Sequence, residues 1–151
     1  MPYSSTVSNG NPTDEDQYND LRKDALYKLA VIPLLDANAP VEVVDGIASF
    51  RLFIPDFLDG FVLTEAHACV ITASSSGTPT FQIYNVTDSV DMLSTRITID
   101  ASEKTSYTAA TQPVIDTDHD DVATGDELRF DCDVAGTGTK GLTIMLTFEE
   151  A

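Results

Sequence analysis

The densest group of side chains with chemical potential is acidic. The run Ile115-Asp116-Thr117-Asp118-His119-Asp120-Asp121 continues to Gly125-Asp126-Glu127. It sets Asp116, Asp118, Asp120 and Glu127 at positions 1, 3, 5 and 12 of a calcium-loop pattern. Carboxylates so spaced converge on a hard cation when a tight turn aims alternate side chains inward. Position 6 of that loop needs glycine for its sharp turn, and here it is Asp121. The flanks also read as extended chain, with Gln112-Pro113 before and a strand after, where a calcium hand would have helices. The expectation is a solvated acidic turn, with calcium held by those four side chains as the sharper alternative, and no cofactor is expected.

The remaining candidates are fewer. His67 and Cys69 stand two apart on one strand face, half of a metal site at most; the bland reading is a hydrogen-bonded histidine beside a small buried thiol. His119 lies inside the acidic run. Neither histidine adjoins a GxSxG, an HExxH or a cysteine-protease signature, and nothing singles out a glycosidase pair among 25 acids. Gly136-Thr137-Gly138 reads as a turn and not a phosphate cradle, because no helix and no closing Lys-Ser/Thr follow it. The expectation is a protein that is not an enzyme.

Charge narrows the partners. Eight Lys and Arg against 25 Asp and Glu leave a formal net charge of -17, so the basic clusters that bind phosphate backbones are missing. An anionic bilayer would repel the chain, and no stretch of about 18 apolar residues could span one. Neither nucleic acid nor membrane is expected as a partner. The start MPYSSTVSNG shows no basic and then apolar leader, and a soluble chain with reduced Cys69 and Cys132 is expected.

Positioning these groups falls to a mostly β chain. Residues 1–12 read as a polar arm. Thr13 is a good N-cap, Asp14, Glu15 and Asp16 favour the positive end of a helix dipole, and Tyr18, Leu21, Ala25, Leu29 and Ile32 recur at helical spacing. Pro33 is expected to stop that helix. The stripe suits either the domain's own core or self-association about a symmetry axis. Strand-like runs follow at 48–54, 66–73, 81–84, 97–99, 128–134 and 142–148. The last two alternate strictly: Leu128, Phe130, Cys132 and Val134 in one, Leu142, Ile144, Leu146 and Phe148 in the other. A loop with three glycines joins them, and a β-hairpin is expected. About eight short strands predict an all-β, antiparallel, jelly-roll-like β-sandwich over 35–151, preceded by an arm and short helix over 1–34.

The stretches Gly77-Thr78-Pro79-Thr80-Phe81-Gln82-Ile83-Tyr84-Asn85-Val86-Thr87, Asp91-Met92-Leu93-Ser94 and Ile97-Thr98-Ile99-Asp100 carry a resemblance. With the turn Val122-Ala123-Thr124-Gly125-Asp126-Glu127-Leu128 and Gly138-Thr139-Lys140-Gly141-Leu142, residues 60–148 resemble bacteriophage virion proteins of the head-decoration, cement and head-fibre type. The resemblance implies a small sandwich, commonly trimeric, that binds a capsid lattice and stabilises it, and it supplies no catalytic or binding motif. The expected partners are therefore further copies of the chain, as a homotrimer, and a major capsid protein. The expected location is the outer surface of the head, after assembly in the host cytoplasm. A glycan- or receptor-binding module of a tail or fibre is the alternative. Contact candidates are Tyr18, Leu21, Ala25 and Leu29 on the stripe, with Phe53, Phe57, Leu58 and Phe61 in an apolar stretch that breaks strand alternation. For that second group, ordinary core beneath a loop is the competing reading.

Overall fold

Period-two alternation along the C-terminal half needs two sheets to bury its apolar sides, and a computed structural model, which describes residues 27–151, supplies them. Eleven strands occur among the described residues: β1 (Tyr27–Pro40), β2 (Arg51–Phe53), β3 (Phe61–Thr72), β4 (Thr80–Asn85), β5 (Val90–Asp91), β6 (Leu93–Thr95), β7 (Ile97–Thr98), β8 (Val114–Ile115), β9 (Asp121–Val122), β10 (Glu127–Val134) and β11 (Lys140–Glu150). Every pairing is antiparallel. A four-stranded sheet runs β1-β11-β3-β9, and a five-stranded one runs β2-β10-β4-β5 with β7 also on β4. A small β6-β8 pair stands apart from both. The fold is an antiparallel β-sandwich, with no helix of seven residues or more among the described residues.

The core lies between the two large sheets. Ile32 and Leu34 on β1, Leu63, Ala66, Ala68 and Val70 on β3, and Leu142, Ile144, Leu146 and Phe148 on β11 are buried. So are Phe81 and Ile83 on β4 and Leu128, Phe130 and Cys132 on β10, all in one apolar cluster. Filling the space between two sheets in this way is the ordinary arrangement of a sandwich.

Two expectations are corrected. The helix expected to run to Ile32 is strand from Tyr27, ahead of the expected start of the sandwich at 35. The run Leu29-Ala30-Val31-Ile32 is apolar at both spacings, and its β-branched residues suit a strand. Pro33, read as a helix stop, sits within β1, where the missing N–H is tolerated because β1 is an edge strand among the described residues.

The second correction concerns β10 and β11, which form no hairpin. β10 pairs with β2 and β4, while β11 pairs with β1 and β3 in the opposite sheet. The glycine-rich loop arches across the sandwich. Alternation shows that each strand has one dry face, and facing strands in different sheets satisfy it as well as neighbours in one sheet. Gly136 makes the arch possible: its φ is +69°, and a Cβ there would run into the Ser74 side chain.

Candidate interaction surfaces

The acidic segment is held by its own short-range contacts. Asp116 Oδ1 accepts from the Asp118 N–H at 3.1 Å, and Oδ2 lies 2.9 Å from His119 Nδ1. That hydrogen bond pulls the Asp116 carboxyl below its usual range and raises His119, on a turn open to solvent. Asp120 moves the other way, pushed up chiefly by desolvation. Glu127 points elsewhere: it sits on β10 and pairs with Arg51 Nε at 2.8 Å. The four side chains of the calcium alternative are therefore not gathered, and among the described residues no three His, Cys, Asp or Glu side chains converge as a metal site.

The turn after this segment has a structural task. Buried Asp126 accepts from the Ala123 N–H at 2.9 Å and from Asn85 Nδ2 at 3.3 Å. The turn then grips the 53–61 stretch. Ile54 N–H donates to Asp126 O, Gly125 N–H to Ile54 O, and Gly60 N–H to Val122 O, at 2.9, 2.8 and 3.0 Å. Thr124 N–H adds a 2.9 Å bond to Asp59 Oδ1. This bracing divides the Phe53, Phe57, Leu58 and Phe61 group. Leu58 is buried beside Ile54, and Phe61 packs partly buried against the core, as the competing reading had it. Phe53 and Phe57 stand 60% and 65% exposed, on backbone that has little freedom to retract them.

His67 and Cys69 do share the outward side of β3, but their neighbours are not ligands. Ser106, fully buried, accepts from the Ala68 N–H at 3.0 Å, and its Oγ lies 2.9 Å from His67 Nδ1. The hydroxyl can donate to Nδ1 or accept from it, according to which ring nitrogen carries the proton. Tyr107 stacks on the imidazole with centroids 3.8 Å apart. Burial lowers the His67 pKa, with Glu65 opposing in smaller measure. A serine so enclosed is a latch that ties the 104–112 loop to β3. Both cysteines are free thiols, and burial pushes Cys132 up to about 11, so it stays protonated at neutral pH.

On the outer side of the five-stranded sheet, Asp131 is buried and takes Arg129 in a fork, Nε to Oδ1 and Nη2 to Oδ2, each 2.7 Å. Its Oδ1 also accepts the Gly46 N–H at 2.7 Å. The guanidinium lies 4.6 Å from the centroid of the Tyr84 ring. Arg51 has Glu127, and Arg96 has Asp133 and, at 3.8 Å, Asp91. Each of the three arginines among the described residues is thus matched by a carboxylate.

The outer side of the four-stranded sheet differs. Alternation along β1 turns Tyr27, Leu29 and Val31 outward, at 46%, 69% and 57% exposure, while Ile32 and Leu34 go into the core. Leu29 is thus an exposed strand residue; Tyr18, Leu21 and Ala25, the other stripe residues, lie outside the described residues. The outward set on β1 was missed because the same apolar run was given to a helix. The β-branched Val31 and Ile32 and the proline within the run were the available signal. No family model, no curated protein and no solved structure matches this chain.

Proposed function

We propose that the protein is a capsid decoration, or cement, protein. It assembles as a homotrimer and clamps the outer surface of a phage head lattice built by a major capsid protein, after assembly in the host cytoplasm. The observation that carries this reading is the pair Phe53 and Phe57. Two large aromatics stay in water on a braced segment whose neighbours Ile54 and Leu58 are anchored in the core. Phenylalanines held out in this way cost solubility unless a partner covers them. The resemblance of residues 60–148 to phage head proteins, read from the sequence, names the kind of partner.

The mechanism is burial. Each phenylalanine fully covered is worth about 1.5–3 kcal/mol, and a trimer presents three such pairs at once. Three weak contacts joined in one clamp reach an avidity that none has alone. The net charge of -17 faces outward and discourages unspecific association.

The test is co-sedimentation of the full chain with empty heads, beside the variant Phe53→Ser/Phe57→Ser. Binding by the wild type and its loss in the variant, with the fold intact by circular dichroism, is the expected result. Failure of the wild type to sediment with heads, together with specific retention on a glycan array, would overturn this reading in favour of a sugar-binding module.

A further inference from the structure

The exposed side of the four-stranded sheet continues from β1 onto its neighbours. Leu29 pairs with Thr147, Val31 with Met145 and Pro33 with Thr143, and the same β11 residues pair onward with Glu65, His67 and Cys69 of β3. Further along β3, Ile71 is 56% exposed, and Tyr107, over His67, is 57% exposed. Carboxylates stand towards the ends of this sheet, Glu65 and Glu149 at one and the exposed Asp36 of β1 at the other. Its middle rows, Val31-Met145-His67 and Pro33-Thr143-Cys69, hold no acid or lysine. Burial disfavours protonation of His67, which keeps the centre neutral. Beyond it, no further strand pairs with β1 among the described residues.

We infer that this face, centred on Leu29, Val31 and Met145, is the surface through which copies of the chain associate. The inference rests on the oligomeric reading above and names its interface, distinct from the Phe53 and Phe57 segment left for the lattice. Charge selects the occupant. A basic partner would be drawn to the acidic loops, not to the neutral middle of this sheet. A copy of this chain, repelled elsewhere by its charge of -17, can come close only where carboxylates are sparse, as they are in the middle rows of this sheet. Size agrees. Three strands and some ten residues of length span roughly 14 Å by 33 Å at ordinary strand spacings. Side-chain relief lifts that flat footprint towards the ~800 Å² that each partner gives up in a standard interface.

The experiment is light scattering on a sizing column, with the full chain and the variant Leu29→Glu/Val31→Glu, both at several concentrations. Both positions are exposed, so the protomer should keep its circular dichroism. The expected result is a wild-type oligomer and a variant near the protomer mass of 16.3 kDa. An oligomer that survives the two charges overturns this interface and leaves the oligomeric reading standing. A wild type that is monomeric at every concentration overturns both. Should the variant not fold, the labelling rate of Cys69 by a maleimide in the wild type decides. A rate that falls several-fold as association proceeds supports the interface, and a rate indifferent to concentration overturns it.

Discussion

Replacing Asp131 by alanine removes the acceptor that the Arg129 fork and the Gly46 N–H share. The carboxyl is buried, so no water stands ready to take its place, and the Gly46 N–H loses its partner in a turn whose φ is already +79°. An unsatisfied buried N–H costs about 1–3 kcal/mol, and breaking a buried charge pair about 3–5 kcal/mol. The Arg129 side chain is 23% exposed, and Asp45 lies 3.8 Å away on its solvent side, so the guanidinium recovers part of its loss. The working figure for Asp131→Ala is therefore the low end, about 2–3 kcal/mol, and for Asp131→Asn, which keeps one acceptor, about 1–2 kcal/mol. Urea unfolding reads this as a lower midpoint with an unchanged slope. In a double-mutant cycle with Arg129→Ala, the paired substitutions should cost less than the sum of the singles by about 1 kcal/mol or more. A loss below about 0.5 kcal/mol for Asp131→Ala, in the range of ordinary surface substitutions, would refute the reasoning.

The two histidines should titrate on opposite sides of 6.5 when their ring protons are followed by NMR: His67 below, through burial, and His119 above, through Asp116. For His67 the folded state binds fewer protons than the unfolded one, so its contribution falls as pH drops through 6.5 towards the folded value. The Asp116–His119 pair contributes between the two titrations, and is lost above the raised histidine value and below the depressed carboxyl value. Asp116→Asn should bring His119 back towards 6.5 and leave His67 in place. Ser106→Ala leaves the Ala68 N–H without its acceptor and should cost about 1–3 kcal/mol in urea unfolding. It should also move the His67 titration, which a substitution that merely loosened packing elsewhere would not do.

Much of the sandwich was legible because its strands carry period two over long runs. Leu128 to Cys132 and Leu142 to Phe148 alternate without a break and bury the residues that alternation selects. What alternation cannot carry is the neighbour, and so a loop with three glycines was read as a hairpin when it arches between sheets. The first strand failed for a different reason: Leu29 to Leu34 satisfies a helical stripe and a two-sided strand equally, and only the waiting edge of β11 decides between them. The acidic segment shows the limit of spacing. Asp116, Asp118, Asp120 and Glu127 stand at the right intervals, yet the chain enters β9 and β10 before the fourth can turn inward, and Arg51 claims it. The Phe53 to Phe61 group stands out in the sequence because it breaks strand alternation. Dividing it into anchors and exposed aromatics needed the Val122–Glu127 turn that braces it, some 65 residues further along the chain.

The position of β11 has a consequence for how the protein is made. It follows every other described strand in the chain, yet it is the middle of its sheet, holding β1 on one side and β3 on the other along most of their length. During synthesis β1 and β3 must therefore remain without their common partner until the final strand has left the ribosome. Two long apolar edges stay available to other nascent chains for that whole interval. Closure is a late step that joins the two ends of the described chain, and a slow one because of the loop it must close. Acidity then acts as a kinetic guard: all of the 25 Asp and Glu except Glu149 and Glu150 precede β11, and they repel encounters between open sheets until each chain has sealed its own.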